Sequence, residues 1–256
     1  MAPGNPNQGL DPHQRPKVIV AADPAALAET AAERLIVRIV ANGHRPAICL
    51  SGGSSPKQMF ELLATDAYRG RIPWDRVHWF IGDERFVPVT DSHNNMAMAR
   101  KAFLDRCAPP ANVHPIEVDS ASPVEAAGRY ERELKSFYGA DQLDPARPLF
   151  DLVMLGAGPD GHTASLFPGY PAESETKRWV TDVPEAHVAP FVPRVSLTFP
   201  VLASCREMMF EASGAGKREI LTRIFDGEDL PATRARSQGE TVWLLDKAAL
   251  PENFRG

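Results

Sequence analysis

The sequence predicts an α/β protein with a doubly wound, mostly parallel open sheet, in a Rossmann-like three-layer arrangement with helices on both faces and a small lid or subdomain. Short apolar runs at 47–50 and 151–155 are typical of strands buried on both faces. Glycine-containing turns follow several such runs and lead into stretches with helical spacing. Repetition of this unit favours a parallel sheet. The irregular, proline-rich stretch 168–193 predicts the lid.

Apolar periodicity places the individual elements along the chain. Two helix starts carry capping signals, because Pro24 follows Asp23 and because Glu125 lies three residues after Ser122. The predicted strands are 17–22, 47–50, 74–81, 113–118, 151–155, 194–200, 207–212 and 241–245. The predicted helices are 23–43, 57–64, 91–104, 122–134 and 219–225, with a helix-like turn at 201–204.

The composition bounds the class of protein and its partners. The chain has 256 residues, of which 43% are hydrophobic and 24% charged, as is ordinary for a globular protein. We expect one domain over 17–256, preceded by a disordered, proline-rich leader over 1–16. A net charge of −5 argues against a nucleic-acid or membrane-surface partner. No apolar run approaches the roughly 18 residues of a membrane helix, so no membrane partner is expected.

Cysteine usage bears on cofactors and on the compartment. Cys49, Cys107 and Cys205 are far apart, and the sequence has no CxxC pair. This spacing favours neither a disulfide framework nor a zinc site, and it is consistent with a reduced, cytoplasmic setting. We expect a cytoplasmic protein that is a monomer or a weak dimer.

The chain is organised around the strand at 151–155 and residues 156–162, which we call the histidine turn. Asp160 and His162 lie in this glycine-rich turn, at the carboxyl end of a buried strand. Ligands of open α/β sheets bind at that end, so a carboxylate and an imidazole there are well placed for acid–base chemistry. The alternative is a plain turn with a surface aspartate and a hydrogen-bonded histidine. Thr163 or Ser165 is expected to cap the segment that follows.

A second informative element follows the strand at 47–50, and we call it the serine loop: Ser51, Gly52, Gly53, Ser54 and Ser55. Amide groups in a glycine turn at a helix N-terminus form an anion site, and serine hydroxyls add donors. The loop is neither a Walker A motif, because no GK[ST] follows, nor a nucleophile elbow, because a proline stands where the last glycine is needed. An ordinary strand-to-helix turn is the alternative.

Two further polar segments follow predicted strands. Three consecutive charged residues, Asp83, Glu84 and Arg85, follow the strand at 74–81. Their place at the carboxyl end of a buried strand favours a functional role, and the alternative is a solvated loop with an ion pair. Residues 213–217, the lysine turn, place Lys217 at the start of a helix, where its charge would strengthen an anion site. A solvated helix lysine is the alternative. His93 is expected to be a capping or surface residue.

These motifs together resemble the 6-phosphogluconolactonase family, in the wider group that includes glucosamine-6-phosphate deaminase. The matching segments are 50–56, 82–85, 156–162 with 164–168, 194–198 and 213–217, in the family's order and spacing, and the resemblance covers about 17–250. It implies an open α/β sheet, hydrolysis of the sugar-phosphate lactone 6-phospho-D-glucono-1,5-lactone to 6-phosphogluconate in the oxidative pentose phosphate pathway, and no metal or organic cofactor.

The resemblance also implies roles for individual residues. His162 matches the general base, Asp160 its orienting carboxylate and Arg85 the arginine that faces the lactone. Arg194 and Lys217 match cationic contacts to the substrate phosphate. The implied substrate-binding set comprises Ser51, Gly52, Gly53, Ser54, Ser55, Asp83, Gly161, Arg194 and Lys217.

Elementary chemistry agrees with such a site. A lactone is an activated ester, so its hydrolysis needs water, a base of near-neutral pKa and a stabilised oxyanion. Imidazole has a suitable unperturbed pKa, and no serine or cysteine nucleophile is required. The phosphate would anchor the sugar so that its distant carbonyl group meets the base.

Two alternatives remain at this stage. In a deaminase, Asp83 would abstract a proton and a glutamate just after the histidine would assist, but the first acid after His162 is Glu173. That branch also favours an aromatic side chain at the position of Arg85, so both departures favour the lactonase. A non-catalytic sugar-phosphate sensor would bind the ligand without turnover.

Overall fold

The computed structural model describes residues 16–252 and 254. Within these residues the strands are β1 (Lys17–Ala21), β2 (Ala47–Leu50), β3 (His78–Ile81), β4 (Asp83–Arg85), β5 (Phe150–Leu155), β6 (Val180–Val183), β7 (Arg194–Leu197), β8 (Cys205–Ala212) and β9 (Glu240–Asp246). The helices are α1 (Pro24–Ala41), α2 (Ser54–Leu63), α3 (Asp66–Arg69), α4 (Asn95–Ala99), α5 (Asp105–Cys107), α6 (Pro123–Tyr138), α7 (Phe199–Ala203), α8 (Arg218–Phe225) and α9 (Pro231–Arg234). A π-helical turn at Arg100–Leu104 joins α4 to α5.

The main sheet confirms the predicted fold class. Six strands pair in the order β1-β9-β8-β5-β2-β3, and every neighbouring pair is parallel. From β2 the chain continues to β3 at one edge, whereas from β5 it continues in the opposite direction, through β8 to β9. The topological switch point therefore lies between β2 and β5. A crevice opens at such a point beyond the carboxyl ends of the strands.

In helix α1 the predicted capping residue and the apolar spacing correspond to an observed cap and a buried face. Asp23 caps its N-terminus, since the Asp23 side chain accepts a hydrogen bond from the Ala26 amide at 2.9 Å. Leu27, Leu35 and Ile39, spaced to lie on one face, are all buried in the core. The second predicted cap is also present, because the Ser122 hydroxyl accepts from the Glu125 amide at the start of α6.

A second, three-stranded antiparallel sheet has the order β4-β7-β6. Strand β6 and the 3₁₀ turn at Pro171–Ser174 lie in the stretch 168–193, for which a lid or subdomain is predicted. Strand β4 consists of the three charged residues that follow the predicted strand at 74–81, for which a solvated loop is the alternative interpretation. Its extended form results from pairing with β7. A short polar segment has no sequence pattern that predicts such pairing.

Several element predictions are wrong in detail. Residues 113–118 form no strand: Val113 makes one isolated bridge with Trp79 after a 3₁₀ turn. The strand expected over 74–81 begins only at His78, and the helix expected from 91 begins at Asn95, with Asn94 as its cap. The leader predicted over 1–16 lies outside the described residues except for Pro16 and stays a prediction, as do the domain limits. In the described part of the chain, no helix has the length and apolar character needed to span a bilayer.

Candidate active site

Three connections meet in the crevice at the carboxyl ends of β2, β5 and β8. They are the serine loop, the histidine turn and the lysine turn. They enclose a cavity of about 150 Å³ whose lining includes the whole serine loop, Gly156 and Lys217. The volume is below the roughly 300–1,000 Å³ typical of drug-sized ligands, so the cavity suits a small group such as a phosphate. Its other lining residues are Pro56, Met154, Leu155 and Glu211.

The serine loop presents backbone donors to this cavity. Helix α2 begins at Ser54, and no side chain caps its N-terminus, so its first amide groups remain available to a ligand. Gly52 packs tightly on a neighbouring segment, because a Cβ atom there would lie 2.0 Å from the Asn95 side-chain oxygen. The side-chain Nδ2 of Asn95 in turn donates to the Asp83 backbone carbonyl oxygen at 3.0 Å. The loop is therefore held against the second sheet.

Lys217 joins the lysine turn to the histidine turn. Its Nζ donates a hydrogen bond to the Ala157 carbonyl oxygen at 2.7 Å. Burial lowers the pKa of the Lys217 ammonium group from its ordinary value. A partly desolvated ammonium at the cavity wall is a strong partner for an anion, because little water competes for it.

The predicted acid–base pair is assembled in the histidine turn. His162 Nδ1 lies 2.5 Å from Asp160 Oδ1. Burial alone would raise the pKa of Asp160, but the hydrogen bond and charge of His162 outweigh it and hold that pKa well below its usual range. The ionised carboxylate can only accept, so Nδ1 carries a hydrogen, and in the neutral form of the ring Nε2 is therefore the acceptor.

A second imidazole, from His187, also contacts Asp160, with 2.8 Å between Nε2 and Oδ2. The Phe167 ring packs against both histidines, with its centroid 4.6 Å from that of His162 and 5.1 Å from that of His187. Sequence reasoning missed His187 because it lies 25 residues beyond His162, in the irregular stretch, where no periodic pattern marks it. It extends the predicted pair to a His–Asp–His array.

The second sheet contributes two arginines. Arg85 on β4 and Arg194 on β7 are directly opposite each other. Like charges in this position are destabilising, and the Nε atoms of both side chains are buried without a hydrogen-bond partner among the described residues. Burial lowers the pKa of Arg194, and the charge of Asp83 opposes that effect. An anion between the two guanidinium groups would relieve both costs.

Each arginine is also fixed by backbone carbonyl groups. Arg85 Nη1 donates to His93 O at 3.0 Å, and Arg194 Nη2 donates to Pro190 O at 3.1 Å. The exposed His93 side chain bonds to Asp91, which fits its expected surface role. Arg194 is only 1% exposed and does not line the cavity that Lys217 shares with the serine loop.

Thr163 and Ser165, which follow the histidine turn, make side-chain hydrogen bonds to that turn and to β4, respectively. Ser165 Oγ donates to Asp83 Oδ2 at 2.6 Å, and Thr163 Oγ1 donates to Gly156 O. The expectation that Thr163 or Ser165 caps the segment that follows is wrong, because Thr163 and Leu166 form an isolated bridge and no helix begins at these residues. The Gly161 carbonyl group accepts from the Ala232 amide. Glu84 accepts from the Asn95 amide and so anchors the start of α4.

The described residues contain no cluster of three or more histidine, cysteine or acidic side chains able to hold a metal ion. A wider cavity of about 350 Å³ lies elsewhere, next to α6, with Arg129 and Glu133 in its wall. It contains none of the residues that the sequence motifs single out, and Arg129 is already paired with Glu117 and Glu125.

Fold and site together define a class: an open, parallel α/β protein whose switch-point crevice combines amide, hydroxyl and ammonium donors with a histidine–aspartate pair. The family model described as glucosamine-6-phosphate isomerases/6-phosphogluconolactonase matches residues 22–243. The chain belongs to this family.

Individual relatives agree with the family match. A protein of Synechocystis sp. named 6-phosphogluconolactonase is 40% identical over 226 residues, covering 86% of this chain and 89% of that protein. A Rattus norvegicus protein of the same name is 36% identical, with coverage of 88% and 87%. The solved 6-phosphogluconolactonase from Trypanosoma cruzi has a TM-score of 0.79 at 32% identity, covering 92% of this chain and 96% of that one. A monomeric glucosamine-6-phosphate deaminase shares the fold, with a TM-score of 0.76 at 17% identity.

Proposed function

We propose that the chain hydrolyses 6-phospho-D-glucono-1,5-lactone to 6-phospho-D-gluconate, the reaction expected in the oxidative pentose phosphate pathway. The observation that carries the proposal is the Asp160–His162 pair beside a donor-lined cavity, in a chain of this family. The relatives' printed names support the same substrate.

His162 acts as the general base in the proposed mechanism. Its Nε2 accepts a proton from a water molecule, whose oxygen attacks the lactone carbonyl carbon to form a tetrahedral intermediate. The intermediate collapses by breaking the bond between that carbon and the ring oxygen. The imidazolium returns its proton to the ring oxygen, which leaves as a hydroxyl group. Asp160 holds the ring in the required tautomer and stabilises the imidazolium, as its 2.5 Å contact with Nδ1 allows.

The phosphate group is proposed to lie against the serine loop and Lys217. The free amide groups of α2 and the Lys217 ammonium together favour a dianion at this place. Lys217 also bonds Ala157, which precedes the part of the turn that supports His162. A phosphate held here would thus position the lactone relative to the base.

The arginine pair is proposed to meet the negative charge that develops on the carbonyl oxygen. Arg85 faces the lactone in this assignment, and its buried Nε is a donor without a partner in the described chain. This placement differs from the phosphate contact that the family resemblance implies for Arg194, because Arg194 does not line the cavity in which the phosphate is proposed to lie.

Gly158→Ala is expected to slow lactone hydrolysis by about 10–100-fold. A Cβ atom at this position would lie 2.0 Å from His162 Cε1, so the imidazole ring must move, and a displaced base loses its near-attack geometry. Single-substrate kinetics measure the effect. Gly70→Ala is the matched control, because nothing lies within 4 Å of a Cβ there. Equal kcat in the two variants would contradict the placement of the base.

The test of the proposed function compares two substrates with a chelator present. We expect the wild-type chain to hydrolyse freshly generated phospholactone well above the spontaneous rate and to release no ammonia from glucosamine 6-phosphate. Ammonia release would assign the chain to the deaminase branch. Binding of 6-phosphogluconate with no turnover of either substrate would support a sensor. Loss of lactone hydrolysis in EDTA would contradict the predicted absence of a metal cofactor.

The proposal also includes a cytoplasmic setting and a monomer or weak dimer. The cytoplasmic setting rests on the three separated cysteines of the sequence. Sedimentation at several concentrations tests the second point, and a concentration-independent dimer or larger assembly would contradict it.

A further inference from the structure

Glu211 on β8 is a buried carboxyl group that makes no hydrogen bond within the part of the chain that the structure describes. Its side chain lines the cavity with the serine loop and Lys217, and the residue is only 4% exposed. Neither carboxyl oxygen has a hydrogen-bond partner among the described residues. Burying an unpaired polar group is costly, so such a group in a cavity wall points to a ligand that satisfies it.

The same strand contains a useful comparison. Glu207 lies four residues earlier, on the same face of the sheet, and is equally buried. Its two oxygens are bound by Arg34 at 2.7 Å and Arg38 at 2.5 Å, both from α1. Within residues 16–252 the fold thus supplies counter-charges for Glu207 and none for Glu211, which lines the cavity instead.

The surroundings of Glu211 favour its neutral form. Its cross-strand neighbour on β9 is Leu244, and β5 contributes Met154 and Leu155 to the cavity. The other ionisable group in the cavity wall, Lys217, bonds the Ala157 carbonyl group rather than this carboxylate. Burial raises the pKa of Glu211 to about 8, so at pH 7 the group is mostly a carboxylic acid that can donate a hydrogen bond.

We propose that Glu211 is a further substrate-binding residue, whose protonated carboxyl group donates a hydrogen bond to an oxygen of the phosphate held by the serine loop and Lys217. The inference rests on the proposed function and deepens it. An ionised carboxylate in the same place would repel the phosphate dianion. The affinity for the phosphate is therefore high when Glu211 is protonated and falls when it ionises.

Titration calorimetry with 6-phosphogluconate tests this role without requiring turnover. The phosphate monoester is already dianionic above about pH 7, so its own titration does not interfere. With only the protonated form competent to bind, affinity of the wild type is expected to fall about tenfold from pH 7 to pH 9. Glu211→Gln keeps a donor that cannot ionise. We expect it to bind within about threefold of wild type at pH 7 and to lose this fall.

Two comparisons separate the titration of Glu211 from a general charge effect and from the titration of Lys217. Glu219→Gln removes the same charge from the exposed first turn of α8 and should keep the wild-type pH profile. Lys217 also loses its charge at high pH, and that part of the fall would persist in Glu211→Gln. An unchanged tenfold fall in Glu211→Gln would overturn the proposal, because it would assign the titration to another group.

An apolar variant adds a readout that a purely structural role would not produce. Glu211→Met should raise the unfolding temperature of the free protein, since it removes a buried polar group without a partner. It should also weaken 6-phosphogluconate binding about 10–100-fold, because a hydrogen bond to a charged acceptor is lost. Wild-type affinity in Glu211→Met would overturn the proposal. Failure of lactone hydrolysis by the wild type, with the calorimetric results intact, would overturn only the proposed reaction.

Discussion

Replacing His162 by alanine lowers the rate of lactone hydrolysis by roughly 10²–10⁴, with little change in KM, if the imidazole is the general base. The variant keeps the cavity, Lys217 and the serine loop, so ground-state binding of the phosphate is retained. What is lost is the acceptor for the proton of the attacking water. The measurement is kcat and KM on freshly generated substrate, with the spontaneous rate subtracted.

An exposed histidine gives the matched control. His44→Ala removes an exposed imidazole that precedes the amino end of β2, whereas the crevice lies at the carboxyl end of that strand, and it should leave both constants unchanged. Circular dichroism and thermal unfolding of His162→Ala establish that the fold persists. Wild-type kcat without His162 would end its assignment as the base.

Replacing Lys217 by alanine acts mainly on KM, which we expect to rise about 10–100-fold through the loss of one charge-assisted contact to the phosphate. Some loss of kcat follows to the extent that this contact orients the sugar toward His162. The Ala157 carbonyl group loses its donor as well, which loosens the link between the lysine turn and the histidine turn. Initial rates over a wide substrate range separate the two constants.

Lys57→Ala is the control for long-range charge. Lys57 is exposed on α2 and faces Glu61 at 3.7 Å, so its removal changes the net charge near the serine loop without touching the cavity. Equal KM changes in the two variants would mean that Lys217 acts only through the general field. An unchanged KM in Lys217→Ala would remove it from the phosphate site.

The sheet was predictable because local signals and tertiary packing agree along most of it. Strand β5 is buried throughout and apolar at every position except Asp151, and α1 is capped by Asp23 at its N-terminus. Strand β4 was not predictable in the same way. It is three charged residues long, and it exists because β7, more than a hundred residues later, pairs with it.

Some residues of the candidate site were predictable from local sequence patterns, and others were not. Asp160 and His162 are two residues apart in a glycine turn, so the sequence itself places them together, and the structure brings them to 2.5 Å. Glu211 and His187 carry no such signal. Strand β8 contains two buried acids, Glu207 and Glu211, and what distinguishes Glu211 is that its oxygens have no partner among the described residues. Whether a buried glutamate has a partner depends on elements that are distant in the sequence, such as α1, which packs against Glu207.

A crystal structure of the complex with 6-phosphogluconate tests the central claim most directly, because it locates both ends of the ligand at once. We expect the phosphate against the serine loop and Lys217, with the carboxylate carbon next to His162 and its Nε2 at hydrogen-bonding distance, about 2.6–3.2 Å, from a carboxylate oxygen or a bridging water. A phosphate remote from both Lys217 and the serine loop, or a carboxylate directed away from His162, would contradict the account.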